Sequence, residues 1–174
     1  TDRIDLLWVH MPDAYTPMDE IARGLDQLVR SGKVLYLGLS DFPAWRVARA
    51  ATIAELRGWA RIDGVQLEYS LVERSGDREL LPMAAGLGLA TVGCSPLGGG
   101  FLTGKYRHGG EGRATGLKTL VHAEDTTQKA AILDLLVEIA NETGANTGQV
   151  AIAWVGSRGV IPILGPRSRA QLDD

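Results

Sequence analysis

Cysteine is nearly absent: Cys94 is the only one in 174 residues. A single thiol excludes an internal disulfide framework and any metal site built from several cysteines, and it suits a reducing cytoplasm. Long apolar runs are missing as well. No stretch approaches the ~20 residues a membrane-spanning helix needs, and no signal peptide is read at the start. An excess of one charge is also lacking. The 18 Lys and Arg against 21 Asp and Glu leave a formal charge of −3, which argues against nucleic acid or an anionic membrane as the main partner. Phe and Tyr are few, at two and four. With 45% apolar and 22% charged residues, the composition is that of an ordinary globular domain, neither disordered nor membrane-embedded.

What is plentiful is glycine, 22 residues of it, which implies many tight turns and close backbone approaches. Short Val/Ile/Leu-rich runs, apolar on both faces as buried parallel strands are, fall at 4–9, 34–39, 64–69, 89–94 and 160–164. Helical patterns separate them. Thr16-Pro17-Met18-Asp19 predicts a Thr16 cap with Asp19 as its reciprocal partner, followed by an apolar stripe through Ile21, Leu25 and Leu28 up to Gly32. Further helices are predicted over 43–56, 76–85, 126–143 and 147–155, and 107–125 reads as a mobile polar loop. Nothing resembles a linker, so 1–174 is read as a single domain. The first residue is Thr rather than Met and a strand begins at residue 4, so the domain reads as N-terminally incomplete.

Strictly alternating βα units give either an open doubly wound sheet or a (β/α)8 barrel. Five units are legible where a barrel of about 250 residues has eight. In both architectures chemistry sits at the carboxyl ends of the strands. Those ends carry His10-Met11-Pro12-Asp13, Ser40-Asp41, Gln66-Leu67-Glu68, Cys94-Ser95-Pro96-Leu97-Gly98, and Gly165-Pro166-Arg167. From residue chemistry alone, His10 could equally fix a turn, Cys94 could be a small buried hydrophobe, the glycines could be an ordinary loop, and Arg167 and Arg169 could be solvated.

Four stretches carry a resemblance. They are Asp5-Leu6-Leu7-Trp8-Val9-His10-Met11-Pro12-Asp13, Gly32 to Asp41, Gln66-Leu67-Glu68-Tyr69-Ser70, and Ser95-Pro96-Leu97-Gly98-Gly99-Gly100 leading into Gly104-Lys105-Tyr106. In this order they resemble the aldo-keto reductase family, and Asp41-Phe42-Pro43-Ala44-Trp45 is similar to its aryl-alcohol-dehydrogenase-like branch. The resemblance implies a partial (β/α)8 TIM barrel covering the family's strands four to eight, with an extra helix before the last βα unit. It implies an NADP(H)-dependent oxidoreductase that reduces aldehydes or ketones to alcohols. His10 would hydrogen-bond the substrate carbonyl. Ser40, Asp41 and Gln66 would hold the nicotinamide carboxamide, with Asp41 departing from the commoner Asn. Cys94 stands where many members stack an aromatic ring beneath the nicotinamide, and a thiol cannot supply that stacking.

The same resemblance makes Ser95, Pro96, Leu97 and Gly98 the pyrophosphate segment, its exposed N–H groups forming an anion-binding concavity. Lys105 and Arg113 would add cations. Gly165 and Arg167 would meet the adenosine 2′-phosphate, and Gln171 and Asp174 would lie near the adenine. No metal is implied. The family's Asp, Tyr and Lys belong to its first three βα units, so the 174-residue chain alone is expected to be inactive. A non-catalytic, nucleotide-binding regulatory module of the same superfamily is the alternative. The implied partner is a small carbonyl or alcohol, with a covering protein partner needed only if the barrel is truly open.

Overall fold

The computed structural model describes residues 1–110, 112 and 122–173. Their order is β1 (Ile4–His10), α1 (Met18–Arg30), β2 (Val34–Ser40), α2 (Ala44–Arg57), β3 (Gly64–Glu68), α3 (Leu80–Leu87) and β4 (Ala90–Cys94). Then come α4 (Thr127–Thr143), α5 (Thr147–Ser157), β5 (Ile161–Pro162) and α6 (Arg169–Asp173). Short 3₁₀ stretches occupy Gly98–Thr103 and Lys105–His108. The strands form one five-stranded sheet in the order β1-β2-β3-β4-β5. Each crossover carries helix, as parallel neighbours require. The predicted α/β class and strand sequence are observed.

The chain divides into two compact units, Thr1–Leu67 with Ser75–Val92, and Glu68–Arg74 with Gly93–Asp174. In the first unit β1 pairs with β2 in the register Leu6↔Tyr36, Trp8↔Gly38 and His10↔Ser40, and β2 pairs with β3 through Gly38↔Gly64 and Ser40↔Gln66. Side chains alternate between faces with a period of two. Leu37, Leu39 and Val65 therefore share one face, where Met18 and Leu25 of α1, and Val47 and Ala50 of α2, complete the core. Full burial of Leu37 and Leu39 is worth about 1.5–3 kcal/mol each. The opposite face differs from expectation. Leu6 is 42% and Tyr36 56% exposed, because the helices of this unit cover only the first face.

The second unit is centred on Phe101, Leu102, Leu133, Leu136 and Ala151. Tyr69 is fully buried and stacks on Trp154 at 5.5 Å between ring centroids. Helices α4 and α5 start on side-chain caps. Thr126 Oγ1 accepts the Lys129 N–H, and Asn146 and Gln149 form a reciprocal capping box.

Two local expectations fail for identifiable reasons. Thr16 does not cap α1. The Asp13 carboxylate accepts the N–H groups of Thr16 (2.6 Å) and Tyr15 (2.7 Å), the chain stays extended through Pro17, and α1 begins at Met18. The last strand shrinks from 160–164 to Ile161–Pro162. Pro162 has no N–H to continue a ladder, although Ile163 still donates to the Gly93 carbonyl at 2.8 Å.

Asp26 of α1, 5% exposed, joins two segments of the first unit: it accepts the Ala60 N–H at 2.8 Å and Arg30 Nε at 2.7 Å. Asp26→Ala leaves a buried N–H unpaired and should lower the unfolding free energy by about 2 kcal/mol. Arg30→Ala keeps the Ala60 bond but removes the carboxylate's cation and the Arg30 bond to the Gly58 carbonyl at 2.9 Å, and should cost less than Asp26→Ala. Urea denaturation of both variants checks this. Equal losses would show that the carboxylate's bond to Ala60 contributes nothing.

Candidate functional site

In the first unit three of the expected residues come together. His10, Ser40 and Gln66 are register neighbours on adjacent parallel strands and share one face at the carboxyl rim. The turns leaving β1 and β2 are built alike. Met11 and Asp41 both take left-handed backbone conformations, with φ of +65° and +58°. The N–H of Met11 donates to the Ser40 carbonyl at 3.0 Å, and that of Asp41 to the Gln66 carbonyl at 2.9 Å. A left-handed residue costs about 1–2 kcal/mol outside glycine. These bonds hold the strain and fix the rim.

The side chains above those turns differ sharply in solvation. His10 is exposed, with Nε2 3.9 Å from the Asp41 carboxylate. That is an ion-pair distance only when His10 is protonated, and between exposed groups it contributes little. Ser40 is the opposite case. It is 0% exposed, and its Oγ is the one buried side-chain polar atom among the described residues without a hydrogen-bond partner. Such an atom is uncommon in a folded protein and calls for a reason.

In the second unit the segment after β4 is a tight turn. Cys94 is half-buried and in no disulfide, and its carbonyl accepts the Tyr69 N–H at 3.1 Å. Ser95 is left-handed, with φ of +53°. Pro96 is buried, and Leu97 packs against the core of this unit. Gly98, Gly99 and Gly100 all have positive φ, which explains why three glycines stand in succession. The expectation of exposed N–H groups needs correction here. The Gly98 N–H donates to Ser95 O at 2.8 Å, and the Gly100 N–H to Leu97 O at 3.0 Å, so both are engaged inside the turn. Thr103 Oγ1 donates to the Gly100 carbonyl and Tyr106 Oη to the Gly99 carbonyl, closing the turn further.

Lys105 Nζ lies 5.2 Å from the centroid of the Tyr106 ring. A Cβ on Gly112 would approach that ammonium to 2.6 Å, so the backbone is drawn tightly over it. Arg113 falls outside the described residues, as does Asp174. Gly165 and Arg167 are exposed. Gln171 is committed locally: its Oε1 accepts the Arg167 N–H at 2.8 Å, and its N–H donates to Ser168 Oγ at 3.3 Å. Arg169 Nε stands 3.4 Å from Asp173. Pro166, Arg167, Ser168, Arg169, Leu172 and Asp173 line a wide, shallow groove of about 520 Å³.

Several contributors were not singled out from sequence. His122 Nε2 lies 3.2 Å from Glu68 Oε1, and the His122 N–H donates to the Gly98 carbonyl at 3.4 Å, which ties the glycine turn to a residue distant in sequence. Arg107 forks onto Glu124 at 2.6 and 2.8 Å and reaches Asp134 at 2.6 Å, so the start of the expected mobile loop is anchored. These bonds raise the Arg107 pKa and hold Glu124 below its ordinary value. Among the described residues no cluster of three His, Cys, Asp or Glu could hold a metal, and no helix is long and apolar enough to cross a membrane.

Comparison with known proteins gives a consistent result. The sequence model of the aldo/keto reductase family matches residues 1–174. The chain is 39% identical to an uncharacterized oxidoreductase, YrpG, of Bacillus subtilis, over 100% of this chain and 53% of that protein. It is 33% identical to versiconal hemiacetal acetate reductase of Aspergillus parasiticus, over 98% of this chain and 51% of the relative. It is 35% identical to a putative aryl-alcohol dehydrogenase, AAD14, of Saccharomyces cerevisiae, covering 96% and 46%. The chain thus spans about half the length of the curated relatives it matches.

The turn after His10 generates a pH prediction. The Thr16 and Tyr15 bonds hold the Asp13 carboxyl down at about 2, from an ordinary 3.8. A carboxylate with a depressed folded pKa contributes stability that is present above 3.8 and is lost as the pH falls through about 2. Wild type should therefore lose stability more steeply than Asp13→Asn across that window. Acid denaturation of the pair, with an NMR titration of Asp13, checks it. Parallel acid curves would remove Asp13 from the turn's energetics.

Proposed function

The chain belongs to the aldo/keto reductase family, and from that membership and the unpartnered Ser40 hydroxyl we propose that it forms the cofactor- and carbonyl-binding part of an NADP(H)-dependent reductase of aldehydes and ketones. The Ser40 Oγ carries the reading. A buried hydroxyl left without a partner costs the protein stability, by about 1–3 kcal/mol. It is retained where a ligand completes it, and a carboxamide flanked by Ser40 and Gln66 offers both donor and acceptor. The residues fit the nicotinamide end of the cofactor in that sense.

The bound reduced cofactor supplies hydride. The chain's own residues bind, orient and polarise. His10, exposed at the rim beside the Ser40–Gln66 row, donates a hydrogen bond to the substrate oxygen and stabilises negative charge as it develops there. Asp41 fixes the turn through its backbone and lends His10 a nearby carboxylate. Cys94 is assigned to the nicotinamide ring, Ser95, Pro96, Leu97 and Gly98 supply a rigid surface for the diphosphate, and Lys105 and Arg113 supply positive charge to it. Gly165, Arg167, Gln171 and Asp174 are assigned to the adenosine 2′-phosphate end. In this reading the five strands correspond to the family's fourth to eighth, and one of α4 and α5 is additional to the barrel plan.

The proton that completes an alcohol must come from elsewhere. Tyr15 is almost fully exposed, Tyr69 is fully buried against Trp154, Tyr106 Oη donates to the Gly99 carbonyl, and Tyr36 lies two rows below His10. None of the four is a register neighbour of His10. We assign the proton donor to a group outside these 174 residues, so the segment alone should not sustain turnover above ~1 per second.

The full gene product should oxidise NADPH in the presence of an aromatic aldehyde, and His10→Ala should reduce kcat more than it raises KM. Ser40→Ala gives the sharper result. NADP⁺ affinity should fall about tenfold, while the ligand-free protein keeps or gains stability because an unpaired buried hydroxyl has gone. Calorimetric titration and thermal melting measure the two. A loss of stability with unchanged affinity would make Ser40 a structural residue and remove the observation on which the assignment stands.

Arg167→Ala tests the other end of the cofactor. Charge-assisted contacts to a 2′-phosphate should make this variant weaken NADPH far more than NADH. Equal dissociation constants for wild type and variant would exclude Arg167 from the site.

A further inference from the structure

One layer below the polar row lies an arrangement that the assignments above do not use. Trp8, Gly38 and Gly64 are register neighbours across β1, β2 and β3, two residues before His10, Ser40 and Gln66 respectively. A period of two puts both rows on the same face, about 6.6 Å apart along the strands. The glycines are not incidental. A Cβ on Gly38 would collide with the Trp8 indole, with Cδ2 at 2.8 Å and two further ring carbons nearer still. A Cβ on Gly64 would meet the Ala90 carbonyl oxygen at 3.2 Å and Trp8 Cη2 at 3.3 Å, so this glycine makes room for both. The indole therefore leaves β1, lies across β2 and ends over β3, filling the space of two missing side chains.

We propose that Trp8 is a positioning residue, the aromatic floor of the nicotinamide-side site, and that Gly38 and Gly64 exist to let it lie flat there. The inference rests on the assignment of Ser40 and Gln66 given above. The ring carbons one row below Ser40 offer its hydroxyl no hydrogen-bond partner. The same floor limits how deep a ligand's carboxamide can sit, so the row above it meets the group at one height. Phe at position 8 would keep an apolar floor but reach less far, whereas Leu would leave the glycine-cleared space over β3 empty.

The test separates this role from general structural support. In the full gene product, calorimetry measures NADP⁺ and 2′,5′-ADP binding for wild type, Trp8→Phe, Trp8→Leu, Gly38→Ala and the Trp8→Leu/Gly38→Ala double variant. Trp8→Leu should weaken NADP⁺ about tenfold or more while 2′,5′-ADP, which lacks the nicotinamide, changes by less than roughly twofold. Gly38→Ala should weaken NADP⁺ by displacing the indole, and the double variant should bind no more weakly than Trp8→Leu alone, since without the indole the added methyl has nothing to displace. The fluorescence lost on going from wild type to Trp8→Phe should be quenched by NADP⁺ and not by 2′,5′-ADP.

Unchanged NADP⁺ affinity in Trp8→Leu, or equal weakening of both ligands, overturns the proposal and leaves the cofactor assignment intact. Should Trp8→Leu not fold, the same ligand comparison on Trp8→Phe and Gly38→Ala decides. A wild type that binds neither ligand overturns the cofactor assignment, and this inference with it.

Discussion

Parallel pairing with a fixed register is the constraint from which the remainder follows. Because side chains leave a strand alternately, pairing Trp8 with Gly38 and Gly38 with Gly64 forces His10, Ser40 and Gln66 into one line above them. Val9 and Leu39 are paired one step away and pack where the helices lie. A slip of one residue in β1 would turn Val9 out of that core and His10 into it. The apolar face under α1 and α2 thus holds the register, and the register holds the polar row. Fold stability and the geometry of the polar row are connected through the backbone hydrogen bonds of the register.

The two units use their polar groups differently. In the glycine turn of the second unit the N–H groups of Gly98 and Gly100 and the carbonyls of Gly99 and Gly100 are all engaged internally. Those four groups are committed within the turn and have nothing left to offer a ligand. The rim of the first unit holds its backbone just as firmly, through the Met11 and Asp41 N–H groups, but leaves the Ser40 hydroxyl buried and unpaired. The backbone under that hydroxyl is held in advance, but a partner reaches Oγ only once the groups that cover it move aside.

Much of this was legible in the sequence. The strand runs and the helices over 43–56, 126–143 and 147–155 follow from hydrophobic period and local turn chemistry, and the strand-end residues follow from the strands. What was not legible depended on neighbours distant along the chain or on bonds that only the folded backbone reveals. Thr16 is a good cap by type, yet Asp13 takes its N–H first. The glycine triplet looks like a cradle of free N–H groups until its internal bonds are known. Trp8 reads as one more apolar strand residue because the two glycines that explain it lie 30 and 56 positions further on. The bonds of His122 to Glu68 and Gly98 have no local signature at all.

The cations proposed for the phosphates are not idle in the protein as it stands. Arg169 faces Asp173, and Lys105 rests over the Tyr106 ring with backbone drawn close around its ammonium. Any phosphate affinity they confer is the difference between two pairings, not the full strength of one. For Arg169 the existing pairing is between two exposed groups and is worth little, so a doubly charged phosphate displaces it at small cost. For Lys105 the geometry is tighter and the ammonium has less freedom to move toward a ligand. In the proposed assignment, selectivity for a 2′-phosphate would rest on the exposed arginines near the C-terminus, and Lys105 would contribute a fixed charge common to both dinucleotides.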